Sequence, residues 1–127
     1  MAREKFSVDF IVKSSPVILY EFLATVTGLS EWFAEWIEER DDMLIFGWGK
    51  SSERAIVLDY EDHHFIKFKF LDNPENEFLE FRIEKSPITE DTILIITDFA
   101  EKRETDDQIA LWESQVEALI MRIGAGN

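Results

Sequence analysis

The sequence has 127 residues, of which 46% are hydrophobic and 13% are aromatic, and its formal net charge at pH 7 is -14. The hydrophobic content excludes a disordered chain, and the negative charge argues against DNA or RNA binding, because phosphates are bound by clustered Lys and Arg side chains. The absence of cysteine excludes disulfide bonds and thiolate metal sites.

The first predicted element is a strand over residues 4–12, in which apolar and polar side chains alternate. A period of two places successive side chains on opposite faces of a strand. We therefore expect this strand to bury one face, formed by Phe6, Val8, Phe10 and Val12.

Two short helices are predicted to follow the first strand. Ser15 and Pro16 are residue types typical of the N-cap and the first helical position. Thr27 and Gly28 are expected to end the first helix, and a second short helix is predicted to run as far as Phe33. Together they form a separate crossing element before the sheet resumes.

From Trp36 onward the pattern predicts an antiparallel meander of about six strands. Turn-forming residues separate the apolar runs at Asp41-Asp42, at Gly49 and in the loop over residues 72–76. Short loops between successive strands favour antiparallel pairing. The clearest predicted strands cover residues 43–48, 53–60, 64–71, 77–84 and 92–99.

The last predicted element is a long amphipathic helix. Thr105 and Gln108 fit a capping box at its start, and Gly124 is expected to end it. Apolar residues recur at helical spacing, so one face should be buried. The residues of that face are Ile109, Trp112, Val116, Leu119, Ile120 and Ile123.

Three segments of this chain resemble a known family. Phe10-Ile11-Val12-Lys13-Ser14-Ser15-Pro16, followed by Leu19-Tyr20-Glu21-Phe22-Leu23, resembles the opening of START-like domains. Gly28-Leu29-Ser30-Glu31-Trp32-Phe33-Ala34 and Leu111-Trp112-Glu113-Ser114 resemble segments of relatives of the Hsp90 ATPase activator C-terminal domain. The chain is therefore similar to the START-like (Bet v 1-like, SRPBCC) superfamily and, within it, to the Hsp90 ATPase activator homologue (AHSA1-type) family.

The resemblance implies an α+β helix-grip fold for residues 1–127 as a single START-like domain. In that fold a curved antiparallel sheet surrounds a long C-terminal helix, and the element order is β-α-α-β(5–6)-α. A cavity between the helix and the concave face is also implied. Members of the superfamily bind lipids, sterols, polyketides and plant hormones there, and a few catalyse cyclisation or hydrolysis.

The aromatic strand faces and the last helix supply the candidates for such a cavity. They would form either an apolar ligand pocket or a filled core in which the same side chains pack on one another. A register slip of one residue would turn a predicted inner face outward. The candidate residues are Phe33, Trp36, Phe46, Trp48, Phe68, Phe70, Phe81, Ile83, Ile95, Thr97, Trp112, Val116 and Leu119.

The sequence predicts no catalytic residue and no metal site. It contains neither a Gly-x-Ser-x-Gly motif nor an EF-hand loop, and its two histidines, His63 and His64, are adjacent. Adjacent residues of a strand point to opposite faces, so these two would not share a metal ion. Asp98 is expected to face solvent, because a buried carboxylate without a partner is costly.

Three functions remain open at this point. The first is a binding module that holds a small hydrophobic ligand between the sheet and the C-terminal helix. The second is a protein-interaction or chaperone-accessory module, Hsp90 activator-like or homodimeric, with Trp32 and Trp36 exposed beside an acidic surface. The third is a cyclase- or hydrolase-like enzyme, for which the sequence displays no convergent polar set.

The expected partners are a small hydrophobic molecule, a protein partner or a second copy of the chain. We expect no cofactor, no nucleic acid and no membrane insertion, since no apolar run approaches the roughly 20 residues that span a bilayer. Residues 1–10 also lack the apolar core of a signal peptide. A cytoplasmic location is therefore expected.

Overall fold

The computed structural model describes residues 2–125, and within that range the elements are seven strands, three α-helices and one 3-10 turn. The predicted α+β helix-grip architecture is confirmed. The strands are β1 (Arg3–Val12), β2 (Trp36–Arg40), β3 (Met43–Trp48), β4 (Ser51–Glu61), β5 (Phe65–Phe70), β6 (Leu79–Lys85) and β7 (Thr92–Glu101). The helices are α1 (Pro16–Ala24), α2 (Val26–Trp32) and α3 (Thr105–Ala125), and the 3-10 turn Lys102–Glu104 precedes α3.

All seven strands belong to one antiparallel sheet in the order β1-β7-β6-β5-β4-β3-β2. Strands β2 to β7 form the predicted meander, and β1 pairs with β7 from Arg3 opposite Glu101 to Val12 opposite Thr92. The first and last strands are therefore neighbours, while β1 and β2 lie at the two edges. Helices α1 and α2 make the connection between those edge strands.

The hairpin turns use the residue types that the sequence predicted. Asp41 has a φ of 58° between β2 and β3, and Gly49 has a φ of 61° between β3 and β4. Left-handed dihedrals suit tight hairpins, and Gly and Asp adopt them more readily than most residues. These turns fix the register that carries Phe46 to the inside of the sheet.

Alternating burial along the strands defines the inner, concave face. Phe46, Phe68 and Phe81 have no exposed surface, whereas their neighbours along each strand are partly exposed or are glycine. The predicted inner face of β1 is likewise the more buried one. Burying an aromatic or aliphatic side chain of this size contributes about 1.5–3 kcal/mol.

Helix α3 covers the concave face with its apolar stripe. Trp112, Val116, Leu119 and Ile123 are all buried in the same hydrophobic core as the inner residues of the sheet. The ring of Trp112 lies 5.9 Å from that of Phe81 on β6, in an edge-to-face arrangement. The predicted packing of the last helix is therefore confirmed, except that Ile120, which was assigned to the buried face, is 40% exposed.

The junction between α1 and α2 differs from the prediction. The break lies at Thr25, not at Thr27-Gly28, and Gly28 is inside α2. The Thr25 hydroxyl donates to the carbonyl of Glu21 at 2.7 Å and accepts from the backbone N–H of Gly28 at 2.9 Å. Thr25 thus serves the end of one helix and the start of the next, and Ser15 caps α1 as predicted.

The predicted capping at both ends of α3 is also corrected. Thr105 has helical dihedrals, and its hydroxyl donates to Glu4 Oε1 at 3.0 Å, so it does not serve as the cap of a capping box. The 3-10 turn leads directly into α3 and leaves no extended residue for an N-cap. Gly124 does not end the helix, which continues to Ala125.

Candidate functional site

Phe33 lies at the centre of an aromatic cluster between the sheet and the helices. It follows the last residue of α2, and its ring stacks on Trp112 at a centroid distance of 5.9 Å and an interplanar angle of 7°. It meets Phe46, Trp48 and Phe81 edge to face at 5.2, 5.6 and 5.9 Å. The Phe33 side chain, at the end of α2, therefore packs against two residues of β3, one of β6 and one of α3.

Two indole hydrogen bonds hold the helical connection against this cluster. Trp48 Nε1 donates to the carbonyl of Phe33 at 2.8 Å, and Trp32 Nε1 donates to the carbonyl of Phe22 at 2.8 Å. Each bond satisfies a carbonyl near the end of a short helix, where no backbone partner is available. Trp32 is consequently buried, and the prediction that it forms part of an exposed surface is wrong.

The deeper part of the interior is filled by side chains. Six large residues with no exposed surface occupy it, and close packing among such residues leaves little room for a ligand. These residues are Phe46, Phe68, Phe81, Leu94, Ile96 and Leu119.

An open groove adjoins this filled interior on the side of the N-terminal half of α3. Its volume is about 490 Å³, and it opens to solvent. Both apolar and polar side chains line it. The apolar lining residues are Phe33, Trp48, Phe70, Leu79, Phe99, Ala100, Leu111 and Trp112, and the polar ones are Arg3, Glu53, Asn73, Asp98, Glu104, Gln108 and Gln115.

Asp98 points into the groove, so the expectation that it faces solvent is wrong. Its Oδ2 accepts a hydrogen bond from Trp112 Nε1 at 3.0 Å. Burial raises the pKa of the Asp98 carboxyl, while the backbone N–H of Phe99, the Trp112 indole and the nearby Arg3 act in the opposite direction. Donors that stabilise the carboxylate are the reason that an inward aspartate is tolerated here.

An ion pair involves Arg3, which lines the groove together with Asp98. Arg3 Nε donates to Glu77 Oε2 at 2.6 Å, and Arg3 Nη2 donates to Glu77 Oε1 at 2.8 Å. The Glu77 side chain is only 5% exposed, so this two-point contact satisfies a buried carboxylate. Neither residue was a candidate from the sequence, because nothing in a linear pattern relates positions 74 residues apart.

Ten of the sequence-predicted cavity residues lie on the inner side of the molecule. Four of them line the groove: Phe33, Trp48, Phe70 and Trp112. The other six pack in the buried core beside it: Phe46, Phe68, Phe81, Ile83, Val116 and Leu119. A filled core and an open groove therefore adjoin each other.

Three predicted cavity residues lie elsewhere. Ile95 and Thr97 alternate along β7 with the fully buried Leu94 and Ile96, so they occupy the outer face. Thr97 Oγ1 is hydrogen-bonded there to the Ser7 hydroxyl at 2.8 Å. The prediction placed these two on the wrong face of β7.

Trp36 is also on the outer side of the sheet. It pairs with Gly47, whose neighbours Phe46 and Trp48 point inward, and a Cβ on Gly47 would lie 1.8 Å from the indole. The ring therefore rests on a strand position that has no side chain. Trp36 is 41% exposed, so its predicted exposure is correct although its predicted place in the cavity is not.

The two histidines lie between β4 and β5, and neither of them lines the groove. His63 has a φ of 67° and meets Tyr20 edge to face at 5.8 Å, while His64 Nδ1 lies 3.3 Å from Glu61 Oε2. Over residues 2–125 no group of three or more His, Asp and Glu side chains could hold a metal ion. In the same range no helix is long and apolar enough to cross a membrane.

Known proteins resemble this chain along nearly its whole length. A family model for the START-like superfamily domain matches residues 1–125. A protein from Bacteroides fragilis with a solution NMR structure is 33% identical, with 94% of this chain and 90% of that chain covered and a TM-score of 0.67. No match was found among curated proteins.

Two more distant structures share the fold. A crystal structure of a Mesorhizobium loti protein is 13% identical, covering 98% of this chain and 99% of that chain, with a TM-score of 0.78. The solution structure of the Aha1 dimer from Colwellia psychrerythraea is 18% identical, covering 97% of this chain and 93% of that chain, with a TM-score of 0.65.

Proposed function

Because this chain belongs to the START-like superfamily, we propose that it is a binding module for a small hydrophobic ligand, held between α3 and the sheet. The observation that carries the proposal is the open groove beside Phe33, Trp48 and Trp112. Its volume of about 490 Å³ falls within the range of small-molecule sites, which are typically about 300–1,000 Å³.

The chemistry of the walls favours a ligand with an apolar body. Transfer of each methylene group from water to such a surface contributes about 0.8 kcal/mol. A chain of about eight to ten carbons would therefore gain about 6–8 kcal/mol, which must offset the loss of translational and rotational freedom. Weak to moderate affinity is expected for simple probes, and the polar groups at the mouth would add selectivity.

Native mass spectrometry of freshly purified protein tests this proposal. We expect a retained small molecule, or the uptake of one molecule of added decanol per chain. A groove-filling variant, Ala100→Leu, should lose that uptake, because Ala100 lines the groove. The matched control is Ala110→Leu, which adds the same side chain to an exposed position of α3.

Equal decanol uptake by the two variants, or no uptake by the unaltered protein, would contradict a ligand in this groove. Urea denaturation of each variant establishes that both are folded under the conditions of the measurement. We therefore expect the unaltered protein and Ala110→Leu to take up equal amounts of decanol, and Ala100→Leu to take up clearly less.

A second candidate function is protein interaction through the β2 edge. Trp36 is 41% exposed on this edge strand, and large exposed aromatic residues are enriched at interfaces. The Colwellia psychrerythraea structure is described as a dimer, and a similar assembly of this chain would be one form of such an interaction. Light scattering should then report a dimer that Trp36→Ala converts to a monomer, and a monomeric unaltered protein would contradict this form of the hypothesis.

A further inference from the structure

Carboxylates surround the proposed binding groove from three different elements. Glu53 is on β4, Asp98 is on β7 and Glu104 is in the 3-10 turn before α3. Glu53 lies opposite the inward-pointing Phe46, so its side chain is on the concave side of the sheet. Within residues 2–125 none of the three carboxylates forms an ion pair with a Lys or Arg side chain of the protein.

The cation that lines the groove already has a partner. Among the described lining residues Arg3 is the one with a positive charge, and two of its guanidinium nitrogens, Nε and Nη2, donate to the carboxylate of Glu77. A ligand carboxylate would have to share the guanidinium with Glu77, which already contacts it at two points. It would also lie near the carboxylate of Asp98, which already interacts electrostatically with Arg3.

Trp48 is partly exposed at the groove, whereas Trp112 is buried with its ring stacked on Phe33, and neither indole has a spare donor. Trp48 Nε1 is used by the carbonyl of Phe33, and Trp112 Nε1 is used by Asp98. An anion therefore cannot gain an indole hydrogen bond without breaking one. A cation needs no donor and is attracted by an aromatic face, most strongly by that of tryptophan.

The start of α3 is the feature that would favour an anion, since a helix N-terminus carries partial positive charge. Its first turn already contains Asp106 and Asp107, and Glu104 immediately precedes it. The protein's own carboxylates therefore already interact with the partial positive charge of the helix N-terminus. The charge that remains unpaired around the groove is negative.

We propose that the groove selects amphiphiles with a cationic, amine-type head group, such as an alkylamine or a quaternary ammonium compound. This proposal rests on the proposed function, because it assigns a head group to the ligand of the same groove. The apolar tail lies against Phe33, Phe70 and Leu79, and the head group lies among Glu53, Asp98, Glu104 and the ring of Trp48. Carboxylate amphiphiles of equal length are rejected.

Three probes of equal chain length separate this proposal from the underlying binding function. Decyltrimethylammonium, decanol and decanoate are titrated below their micelle concentrations, with affinity measured by calorimetry and by tryptophan fluorescence. We expect the cation to bind about fivefold to tenfold more tightly than decanol, and decanoate to bind more weakly than decanol. Decanol binding tests the groove, and the ratio between probes tests the head-group preference.

A charge-removing variant provides the specific control. Glu53→Gln combined with Glu104→Gln should reduce the ratio of cation affinity to decanol affinity to about two or less. Glu39→Gln combined with Glu84→Gln removes the same net charge from exposed positions outside the groove and should keep the ratio. Comparison of the two double variants distinguishes an effect of the groove carboxylates from a general effect of the protein's negative charge.

The outcomes are distinct. If decanol binds but the cation shows no advantage, or decanoate binds most tightly, the head-group proposal is wrong and the binding function stands. An equal loss of preference in both double variants would also overturn it, because the attraction would then come from net charge alone. If none of the probes binds, the proposed function fails, and the head-group proposal fails with it.

Discussion

Asp98 illustrates how a single buried carboxyl couples the sheet to the last helix. Its residue type and its place on a strand rich in Ile and Thr gave no sign that it would point inward. The position depends on Trp112 Nε1, which reaches it from α3 at 3.0 Å. Only the folded arrangement brings the donor and the acceptor together, so this contact lies beyond what a sequence pattern can predict.

The raised pKa of Asp98 predicts a pH-dependent stability. Because its pKa in the folded state is above the ordinary value of 3.8, the native state binds more protons than the unfolded state between the two values. The Asp98 contribution to the free energy of unfolding therefore falls as pH rises through that window. Asp98→Asn keeps an acceptor for Trp112 and removes this titration.

We expect Asp98→Asn to be more stable than the unaltered protein near neutral pH and to lose that advantage as the pH approaches about 4. Urea denaturation at a series of values from about pH 4 to about pH 8 measures the difference. Parallel pH profiles for the two proteins would show that Asp98 is not desolvated in the folded state.

At the scale of elements, the sequence predicted most of the fold, because its periodicity reports burial directly. The alternation in β1, β5 and β6 and the helical spacing in α3 correspond to the observed inner faces. The prediction failed where hydrophobicity alone does not distinguish the two faces of a strand. On β7 both parities are apolar, so Ile95 and Thr97 were assigned to the face that Leu94 and Ile96 occupy.

Gly28 is a second position at which the sequence pattern did not predict the structure. A glycine after a threonine is typical of a helix break, but here the glycine allows α2 to approach α1. A Cβ at this position would lie 2.1 Å from the carbonyl oxygen of Glu21 and 2.6 Å from the Cα of Phe22. These are backbone atoms, which cannot move aside as a flexible side chain could.

The packing of Gly28 predicts a large effect of one methyl group. Gly28→Ala should lower the free energy of unfolding by about 3 kcal/mol, the upper end of the usual cost of overpacking. Gly124→Ala is the matched control, because Gly124 is helical and a Cβ added there would meet no packed neighbour within 4 Å. That control should be neutral or stabilising by up to about 1 kcal/mol, since alanine favours helix.

Chemical denaturation of both variants checks this prediction. If the two alanine substitutions change the free energy of unfolding equally, the close approach of α1 and α2 at Gly28 is wrong. The comparison cancels the intrinsic preference of alanine for helix and leaves the packing term.

At the scale of the whole molecule, Phe33 joins the parts that form the groove. Its ring contacts Trp112 of α3, Phe81 of β6, and both Phe46 and Trp48 of β3. The sequence identified Phe33 as a cavity candidate, but it could not divide the aromatic residues into those that fill the core and those that remain at the groove. That division depends on how far α3 covers the sheet, which is a property of the assembled fold.

Removal of the Phe33 ring should therefore loosen the molecule and the groove together. Phe33→Ala is expected to cost about 3–5 kcal/mol, as for other buried phenylalanines. Phe78→Ala is the control, because Phe78 is only partly buried and its ring contact is with Phe99 outside this cluster. Denaturation curves and near-ultraviolet circular dichroism should change strongly for the first variant and weakly for the second, and the reverse order would contradict the central role of Phe33.

The central claim is that a ligand enters the groove between α3 and the sheet, and the four tryptophan indoles report on it directly. A titration with decanol, followed by the indole N–H signals in nuclear magnetic resonance spectra, should shift Trp48 and Trp112, which line the groove. Trp36, on the outer side of the sheet, should keep its signal unchanged. Shifts confined to Trp36, or no shift at Trp48 and Trp112 under saturating decanol, would contradict the account.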